Sequence, residues 1–412
     1  MESVIDKNIA VSYQLKQVSD MEASMYGNDP FFNQKLKKHT VFDKESISTA
    51  EKVVSFGEMC VFDLPVDLCD MISDVNLKVI LPNLSVLNSK WTNTIGHSMF
   101  EYISITYEDS EVVRYTSEYL HALFMLRTPA SKRTARNEMI QHKRTEMATD
   151  GQPNILTVEI PLFKSAVDRQ MFPILLMKKE AFKIKIKFRS ISQCVFIPKN
   201  EEPTVKIVAQ SDDSVRVFFV HANEEVVRNR DALKLRCSLF YDGYHLTKAE
   251  KLMFEVKSGD ILFRTVETRT FEWQASQYKK NVDVDFNGMI SEMVCFVRDR
   301  NSAGTNRYFN FLELSELSLI FQGENRNEAG DPKINYWNRT HTSYPTTWVY
   351  SIPFCLSSIQ TQPAGQRRFD GKASRSSLAM VKKHSSLADV FVFANTYTVM
   401  SFDEGLVRFQ SL

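Results

Sequence analysis

The sequence predicts an all-β protein in which two β-sandwiches follow one another along the chain. Apolar and polar residues alternate along most of the apolar segments, as they do in antiparallel strands with one buried face. These segments have few helical patterns between them, and they are more numerous than the strands of a single sandwich. A chain of 412 residues is also long enough for two domains.

The individual strands are recognised by this alternation. In FKIKIKFRS, apolar residues predicted to face the core alternate with lysines that face solvent, and LKLRCSLFY repeats the pattern. The inward residues of these two segments are Phe182, Ile184, Ile186 and Phe188, followed by Leu233, Leu235, Cys237 and Leu239. Further strands are predicted for VNLKVILP, FEYISITY, VRVFFV, ILFRTVETRTF, MISEMVCFV and LSLIFQ.

Three segments have a helical pattern. They are TSEYLHALFML, the polar SKRTARNEMIQHKRTEM, and LTKAEKLMFEV, where Thr247 and Glu250 form a capping box. The charged stretch from Ala130 to Asp150 is predicted to be a solvated loop or helix at one end of a sandwich.

The capped helix after YDGYHL is predicted to be the hinge between the sandwiches. We therefore expect a first sandwich domain over residues 46–247 and a second over residues 248–412. Residues 1–45 show no sustained alternation, and DPFFNQKLKKHTVF combines adjacent aromatic residues with a basic stretch. They are predicted to form an N-terminal arm that acts between neighbouring subunits; the alternative is that Phe31 and Phe32 fill the base of their own first sandwich.

The segment IQTQPAGQRRF separates the apolar runs WVYSIPFCL and ADVFVFANTYTVM. Pro363 fixes φ and lacks an N–H group, while Gly365 permits a positive φ. This combination predicts a reversal that takes the chain from one strand to the next.

Composition restricts the class of partner. Lys and Arg number 51 against 50 Asp and Glu, so no overall charge attracts the chain to nucleic acid or to an anionic membrane, and direct nucleic-acid binding is not expected. Near-neutrality favours self-association. The six cysteines lie in apolar runs without metal-site spacing, and the first residues lack the pattern of a signal peptide, so we expect reduced thiols and a cytosolic or nuclear compartment.

No enzyme signature is found. The sequence lacks the glycine motifs of dinucleotide and phosphate sites, the nucleophile elbow and the zinc-protease motif. We expect no enzyme activity, no catalytic residue, no metal and no cofactor. His97 is predicted to be a histidine hydrogen-bonded at a sheet edge, and the acid pairs Asp67/Asp70 and Glu108/Asp109 are expected to be loop residues.

Several segments, taken in order, resemble the double jelly-roll major capsid proteins of nucleocytoplasmic large DNA viruses. MYGNDPFFNQKLKKHTVF is similar to the start of that family, and the similarity continues over nearly the whole chain. The other similar segments are DLPVDLCDMISDVNLKVILPNL, TNTIGHSMFEYISITYED, VEIPLFKSAVDRQMFPILLMKKEAFKIKIKF, YDGYHLTKAEKLMF, FNGMISEMVCFVRD and YSIPFCLSSIQTQPAGQRRF. Ala364 and Arg368 depart from the family's pattern, so the chain is identified as a divergent member.

The resemblance implies two tandem jelly-roll sandwiches with short helices in loops and at the join. It implies a structural capsid protein that forms homotrimers, which tile an icosahedral shell as pseudo-hexagonal capsomers. The implied partners are neighbouring capsomers and minor capsid proteins, with an inner membrane as an indirect partner; the implied location is the virion capsid, assembled in the host cytoplasm or nucleus. The structural motif residues are Gly27, Asn28, Pro30, Phe31, Phe32, Gln362, Pro363, Gly365 and Phe369.

Two alternatives remain open from the sequence. The first keeps the fold but makes the chain a scaffold or minor capsid paralogue. The second belongs to a different class, a carbohydrate-binding β-sandwich protein, for which Trp91, Trp273, Trp337 and Trp348 could supply the rings.

Overall fold

The computed structural model describes most of the chain from residue 42 onward. The described residues are 42–64, 67–82, 91–141, 154–162, 171–177, 182–195, 205–210, 214–219, 224–229, 234–256, 259–304, 306–325, 348–356, 365–403 and 406–411.

The described strands of the first half form two facing sheets and one separate small sheet. They are β1 (Phe42–Ser48), β2 (Lys52–Val54), β3 (Met59–Asp63), β4 (Met71–Leu81), β5 (Phe100–Tyr107), β6 (Ser110–Thr116), β7 (Asn154–Glu159), β8 (Phe182–Phe188), β9 (Val205–Gln210), β10 (Ser214–Phe219), β11 (Glu224–Asn229) and β12 (Leu235–Leu246). One sheet has the order β1-β12-β4-β7, with β2 beside β12, and the other has the order β3-β8-β5-β6. The strands β11-β10-β9 form the small sheet.

The described strands of the second half form two further sheets. They are β13 (Gly259–Trp273), β14 (Lys279–Asp283), β15 (Asn287–Asp299), β16 (Leu314–Phe321), β17 (Glu324–Asn325), β18 (Val349–Pro353), β19 (Arg367–Asp370), β20 (Ser377–Lys382), β21 (Ala388–Asp403) and β22 (Leu406–Ser411). One sheet has the order β13-β21-β15-β18, with β19 beside β15 and β22 beside β21; the other has the order β14-β20-β16-β17.

The two halves share one strand order. Four main strands in each of two sheets give eight per half, and they can be numbered 1 to 8 along the chain when β2, β9 to β11, β19 and β22 are left out. In both halves the sheets then read 1-8-3-6 and 2-7-4-5. Two four-stranded antiparallel sheets connected in this way form a jelly roll. The predicted fold class, a double jelly roll, is confirmed.

Six short α-helices are described. They are α1 (Ile95–Ser98), α2 (Ser117–Arg127), α3 (Arg133–Met139), α4 (Ile191–Cys194), α5 (Lys248–Val256) and α6 (Arg300–Gly304). The predicted helices TSEYLHALFML and LTKAEKLMFEV are α2 and α5, and the Glu250 N–H donates to Thr247 Oγ1 at 3.4 Å as the capping box predicts. Over the described ranges, no helix is long and apolar enough to cross a bilayer.

No described strand pair crosses residue 247: each sheet takes all its strands from one side of α5. This pairing supports the proposed domain boundary between residues 247 and 248. At the other end, β1 begins at Phe42 and pairs with β12, so the last four residues of the proposed arm belong to this strand. Residues 1–41 lie outside the described part of the chain.

The alternating pattern places the core as predicted. The four apolar residues of β8 and the inward residues Leu235, Cys237 and Leu239 of β12 are buried. Leu233 lies outside the described residues. One apolar cluster fills the first sandwich and continues into residues of the second, including Phe263, Phe296 and Phe393. A second cluster lies between Trp273 and Ala394, within the second sandwich.

Residues 359–364 of IQTQPAGQRRF lie outside the described chain, so the local turn stays a prediction, but the strands on either side of it do not run in opposite directions. β18 pairs with Glu292 to Phe296 of β15, and β19 pairs with Asn287 to Ile290 of the same strand. Both are antiparallel to β15, so β19 continues along the edge in the direction that β18 had. β18 and β19 therefore lie one after the other along the same edge of β15, and β20 comes between β19 and β21 along the chain.

Candidate functional site

The contact between the two sandwiches holds most of the buried charged residues of the described chain. We call it the junction and define it by α2, the residues of β15 and β21 that α2 faces, and His97, Arg189 and Asn306, which also contact the other sandwich. Its geometry fixes how one sandwich lies on the other.

The helix α2 is the central element of the junction. The Thr116 side chain caps it by accepting a hydrogen bond from the Tyr119 N–H at 3.2 Å. Glu118 in the first turn and Arg127 in the last turn complement the helix dipole. Nearly every residue of α2 is buried, including both of these charged ones, so the helix is enclosed by protein on several faces.

A chain of ion pairs runs from α2 into the second sandwich. Glu118 accepts from Arg189 Nη2 at 3.2 Å and from Arg298 Nη1 at 2.9 Å. Arg298 also pairs with Asp389 at 3.2 Å, and Asp389 pairs with Arg300 at 2.5 Å. Side-chain exposure is only 9% for Glu118 and 13% for Arg298. Buried charges are tolerated only when they are paired. These residues can therefore all form their ion pairs only when the two sandwiches hold this relative position.

Two of these arginines also stack on aromatic rings. The Arg189 guanidinium lies 4.1 Å from the ring centre of Tyr308, and that of Arg298 lies 4.7 Å from the ring centre of Phe391. The Arg189 contact joins the two sandwiches, the Arg298 contact lies within the second sandwich, and each holds its guanidinium in place beside Glu118.

A second polar group surrounds Glu292 on β15. Its carboxylate accepts from Arg127 at 3.4 Å, from Asn395 Nδ2 at 3.2 Å and from the Ser351 hydroxyl. The Tyr119 hydroxyl donates to Asn395 Oδ1 at 2.5 Å. Burial raises the pKa of Tyr119 to about 12, so this hydroxyl keeps the proton that it donates.

Asn306 clamps the edge of the junction. It has a positive φ of 59°, which asparagine tolerates better than most residues. Its side-chain Nδ2 donates to the carbonyl groups of Ser192 and Val195, each at 2.7 Å, and its own carbonyl accepts from the Thr92 hydroxyl at 2.7 Å. One residue of the second half thus forms hydrogen bonds with two segments of the first, one at Thr92 and one at Ser192 to Val195.

Two histidines meet in the same contact. His97 and His121 are 5% and 1% exposed, and their Nδ1 atoms are 3.4 Å apart. His97 lies in α1, so its predicted place at the start of a strand on a sheet edge is wrong. The chain enters the strand β5 only at Phe100, and the helical turn before it directs His97 toward α2.

The predicted motif residues are only partly within the described chain. Gly27, Asn28, Pro30, Phe31, Phe32, Gln362 and Pro363 lie outside it. Gly365 has the positive φ that the sequence predicts, at 120°. Phe369 is buried in the second sandwich, 5.1 Å from the Phe321 ring and 5.6 Å from the Phe354 ring. These two residues belong to the second sandwich and not to the junction.

Three of the four paired acids, Asp70, Glu108 and Asp109, have structural roles. Asp70 accepts from the Leu246 N–H at 2.7 Å and pairs with Lys251 at 2.8 Å. Glu108 and Asp109 both have positive φ and form the turn between β5 and β6. Within the described ranges, no three residues of His, Cys, Asp or Glu are grouped as metal ligands. Trp91 and Trp273 are buried, which removes two of the four rings that a carbohydrate site would use.

Sequence reasoning did not identify the junction. A signal was present in TSEYLHALFML, because Glu118 and His121 interrupt an otherwise apolar helix. Charged or titratable residues on an apolar helix indicate buried partners. The partners themselves could not be named, since Arg298 and Asp389 are distant in sequence.

Comparisons with known proteins agree with the predicted resemblance, which is confirmed. Residues 30–222 match a family model described as the major capsid protein N-terminus. The major capsid protein of Wiseana iridescent virus is 20% identical over 334 residues, which cover 73% of this chain and 65% of that protein. This chain thus spans slightly under two thirds of that relative's length.

Solved structures show the same fold. VP54 of PBCV-1, fitted into a cryo-EM reconstruction of the virophage Sputnik, aligns with a TM-score of 0.70 at 13% identity, over 92% of this chain and 99% of VP54. The Faustovirus major capsid protein aligns with a TM-score of 0.62 at 10% identity, over 96% of this chain and 98% of that one.

Proposed function

We propose that this chain is a structural capsid protein of a large DNA virus, and that three copies form a capsomer. The observation that carries the proposal is the repeated strand order in two sandwiches joined by a buried, charged junction. Three such chains around a threefold axis present six similar lobes, an outline that tiles a hexagonal lattice. The family match over residues 30–222 and the similarity to viral capsid proteins support the same function.

The junction supports this proposal physically. A lattice needs lobes of fixed relative orientation, because a flexible pair of sandwiches would present its contact surfaces at varying angles. Buried ion pairs distinguish one arrangement from others, since a displaced sandwich would leave charges unpaired. The shape of the subunit is therefore set before assembly.

The proposed contacts fall into two classes. Within the trimer, an obligate interface of about 2,000 Å² or more would hold the subunits together. Weaker and more polar contacts with neighbouring capsomers and minor capsid proteins would let misplaced trimers leave the lattice. An inner membrane would be contacted only through such partners, nucleic acid would not be contacted directly, and assembly would take place in the host cytoplasm or nucleus.

Light scattering coupled to size exclusion tests the trimer. We expect a mass of three times 47.5 kDa that persists on dilution through the micromolar range. Electron microscopy of the same sample should show particles of six-lobed outline. A stable monomer at micromolar concentration would contradict the proposal.

The amount of the protein in mature particles separates a shell subunit from an assembly scaffold. A main shell protein should be among the most abundant components of purified virions, whereas a transient scaffold should be absent from them. Quantitative mass spectrometry of purified particles makes this measurement.

A further inference from the structure

The contact between His97 and His121 brings together two groups that can take up protons near physiological pH. The His121 ring stacks on Phe309 of the second sandwich, with ring centres 4.0 Å apart and planes 16° apart. His97 meets the same ring edge-on at 6.5 Å. Phe124 packs against His97 at 5.5 Å. The histidine pair is thus part of the surface on which the second sandwich rests.

Most charged groups on the surrounding elements form ion pairs. Arg127 pairs with Glu292, Arg136 pairs with Glu159, and Glu118 is shared by two arginines. Arg127, Arg136 and Glu159 also line a small cavity of about 50 Å³ beside His97. The charged groups on the elements near the pair are Glu118 and Arg127 on α2, Arg136 on α3, Glu159 on β7, Glu292 and Arg298 on β15, and Arg307 in the segment that carries Phe309.

Proton counting limits the charge that the contact can hold. A hydrogen bond between two Nδ1 atoms needs one N–H donor and one lone pair. The pair can therefore hold at most three protons on its four ring nitrogens while the contact persists. In the unfolded chain both rings become cationic below about pH 6.5, and the two rings then hold four protons. A fully protonated pair would also place two cations in a buried site already containing Arg127 and Arg136.

We propose that the His97–His121 pair makes the junction sensitive to acid, so that the subunit loses stability as the pH falls from 7.5 to 5.5. The sign follows from linkage: the unfolded chain binds more protons than the folded junction below about pH 6.5, and stability then falls with falling pH. Ordinary carboxylates titrate below this window, so the pair can be measured separately from them. The inference depends on the fold and not on assembly into a shell.

Denaturant unfolding of the full-length chain between pH 5.5 and 7.5 tests the proposal. The slope of the unfolding free energy against pH gives the number of protons taken up on unfolding. Near pH 5.5 we expect this number to be larger by about one for the wild type than for His121→Phe. Phenylalanine keeps a ring against Phe309 and removes both nitrogens. The oligomeric state is followed by light scattering at each pH, so that dissociation is not mistaken for unfolding.

The matched control is His384→Gln, which removes an exposed histidine of the second sandwich and should leave the slope unchanged. If His121→Phe fails to fold, His97→Gln should reduce the slope in the same way. A wild-type stability that is flat from pH 7.5 to 5.5 overturns the proposal without any variant. Equal slopes in the wild type and in either junction variant overturn it as well.

Discussion

Gly365 is the residue at which the backbone most clearly requires glycine. Its φ of 120° lies outside the regions open to residues with a side chain. A Cβ atom there would lie 3.2 Å from the Phe354 carbonyl oxygen and 3.3 Å from the Cys355 Cα. Both neighbours are backbone atoms, so they cannot move aside as a flexible side chain could. Strain and crowding therefore act together at the point where the chain rejoins the edge of β15.

Gly365→Ala should destabilise the protein by about 1–3 kcal/mol, toward the upper end because crowding adds to strain. Gly323→Ala is the matched control: Gly323 also has a positive φ, of 81°, but nothing lies within 4 Å of its Cβ position. We expect a smaller loss there, about 1 kcal/mol. Thermal and denaturant unfolding measure both. Equal losses would show that crowding at Gly365 is relieved in solution.

Glu118→Gln tests the central residue of the junction. The amide cannot balance Arg189 and Arg298, and removing one member of a buried ion pair costs about 3–5 kcal/mol. Glu111→Gln serves as the control, because Glu111 pairs with Arg114 on the surface, where such pairs contribute about 0–1 kcal/mol. Denaturant unfolding compares the two variants. A loss below about 1 kcal/mol for Glu118→Gln would mean that the junction charges are solvated.

At the scale of secondary-structure elements, alternation predicted the strands well because burial of one sheet face is a local property. From Phe182 to Phe188, the alternation of apolar and charged residues in the sequence matches the alternation of buried and partly buried residues along β8. The helix α2 was predicted from its helical pattern alone, and α5 from a capping box ahead of apolar residues. What the pattern could not give was the partner of each strand. A reversal was predicted after β18, and only the register against β15 shows that β19 runs in the same direction as β18.

The arm and the first strand can be separated by two deletions. Removal of residues 1–41 leaves β1 intact, and our arm hypothesis predicts a folded trimer with nearly unchanged melting temperature that fails to form lattices. Removal of residues 1–48 also deletes β1 and exposes an edge of β12, so a lower melting temperature is expected. Light scattering, thermal melts and electron microscopy report these properties. A large loss of stability in the shorter deletion would place the arm in the subunit's own core.

At the scale of the whole molecule, the sequence gives two sandwiches but not the way they are held together. Arg127 and Glu292 are 165 residues apart, and Tyr119 and Asn395 are 276 apart. No spacing rule connects residues at such distances, since each lies in an element whose own pattern is complete. The number of predicted strands and the chain length gave the tandem arrangement, and the resemblance to capsid proteins agreed with it. The buried charges that fix it became visible only when both halves were placed in one structure.

The thiols report on the integrity of the whole molecule. Five of the six cysteines are buried, and Cys355 is partly exposed. Burial raises the pKa of Cys60 to about 11 and that of Cys194 to about 12, so these thiols stay protonated and unreactive in the folded chain at pH 8. Above about pH 9 the unfolded thiols lose protons that the folded ones keep, and stability should fall as the pH rises.

Maleimide labelling at pH 8 should therefore modify one thiol per native chain and all six in denaturant. Cys355→Ser is the control: it should abolish labelling of the native chain, and in denaturant its five remaining thiols should all be labelled. The buried thiols should react only at the rate at which the molecule opens globally, because each lies inside a sandwich core. Rapid native labelling of a second cysteine, located by mass spectrometry, would show that one sandwich opens independently and that the junction does not unite the two into a single cooperative unit.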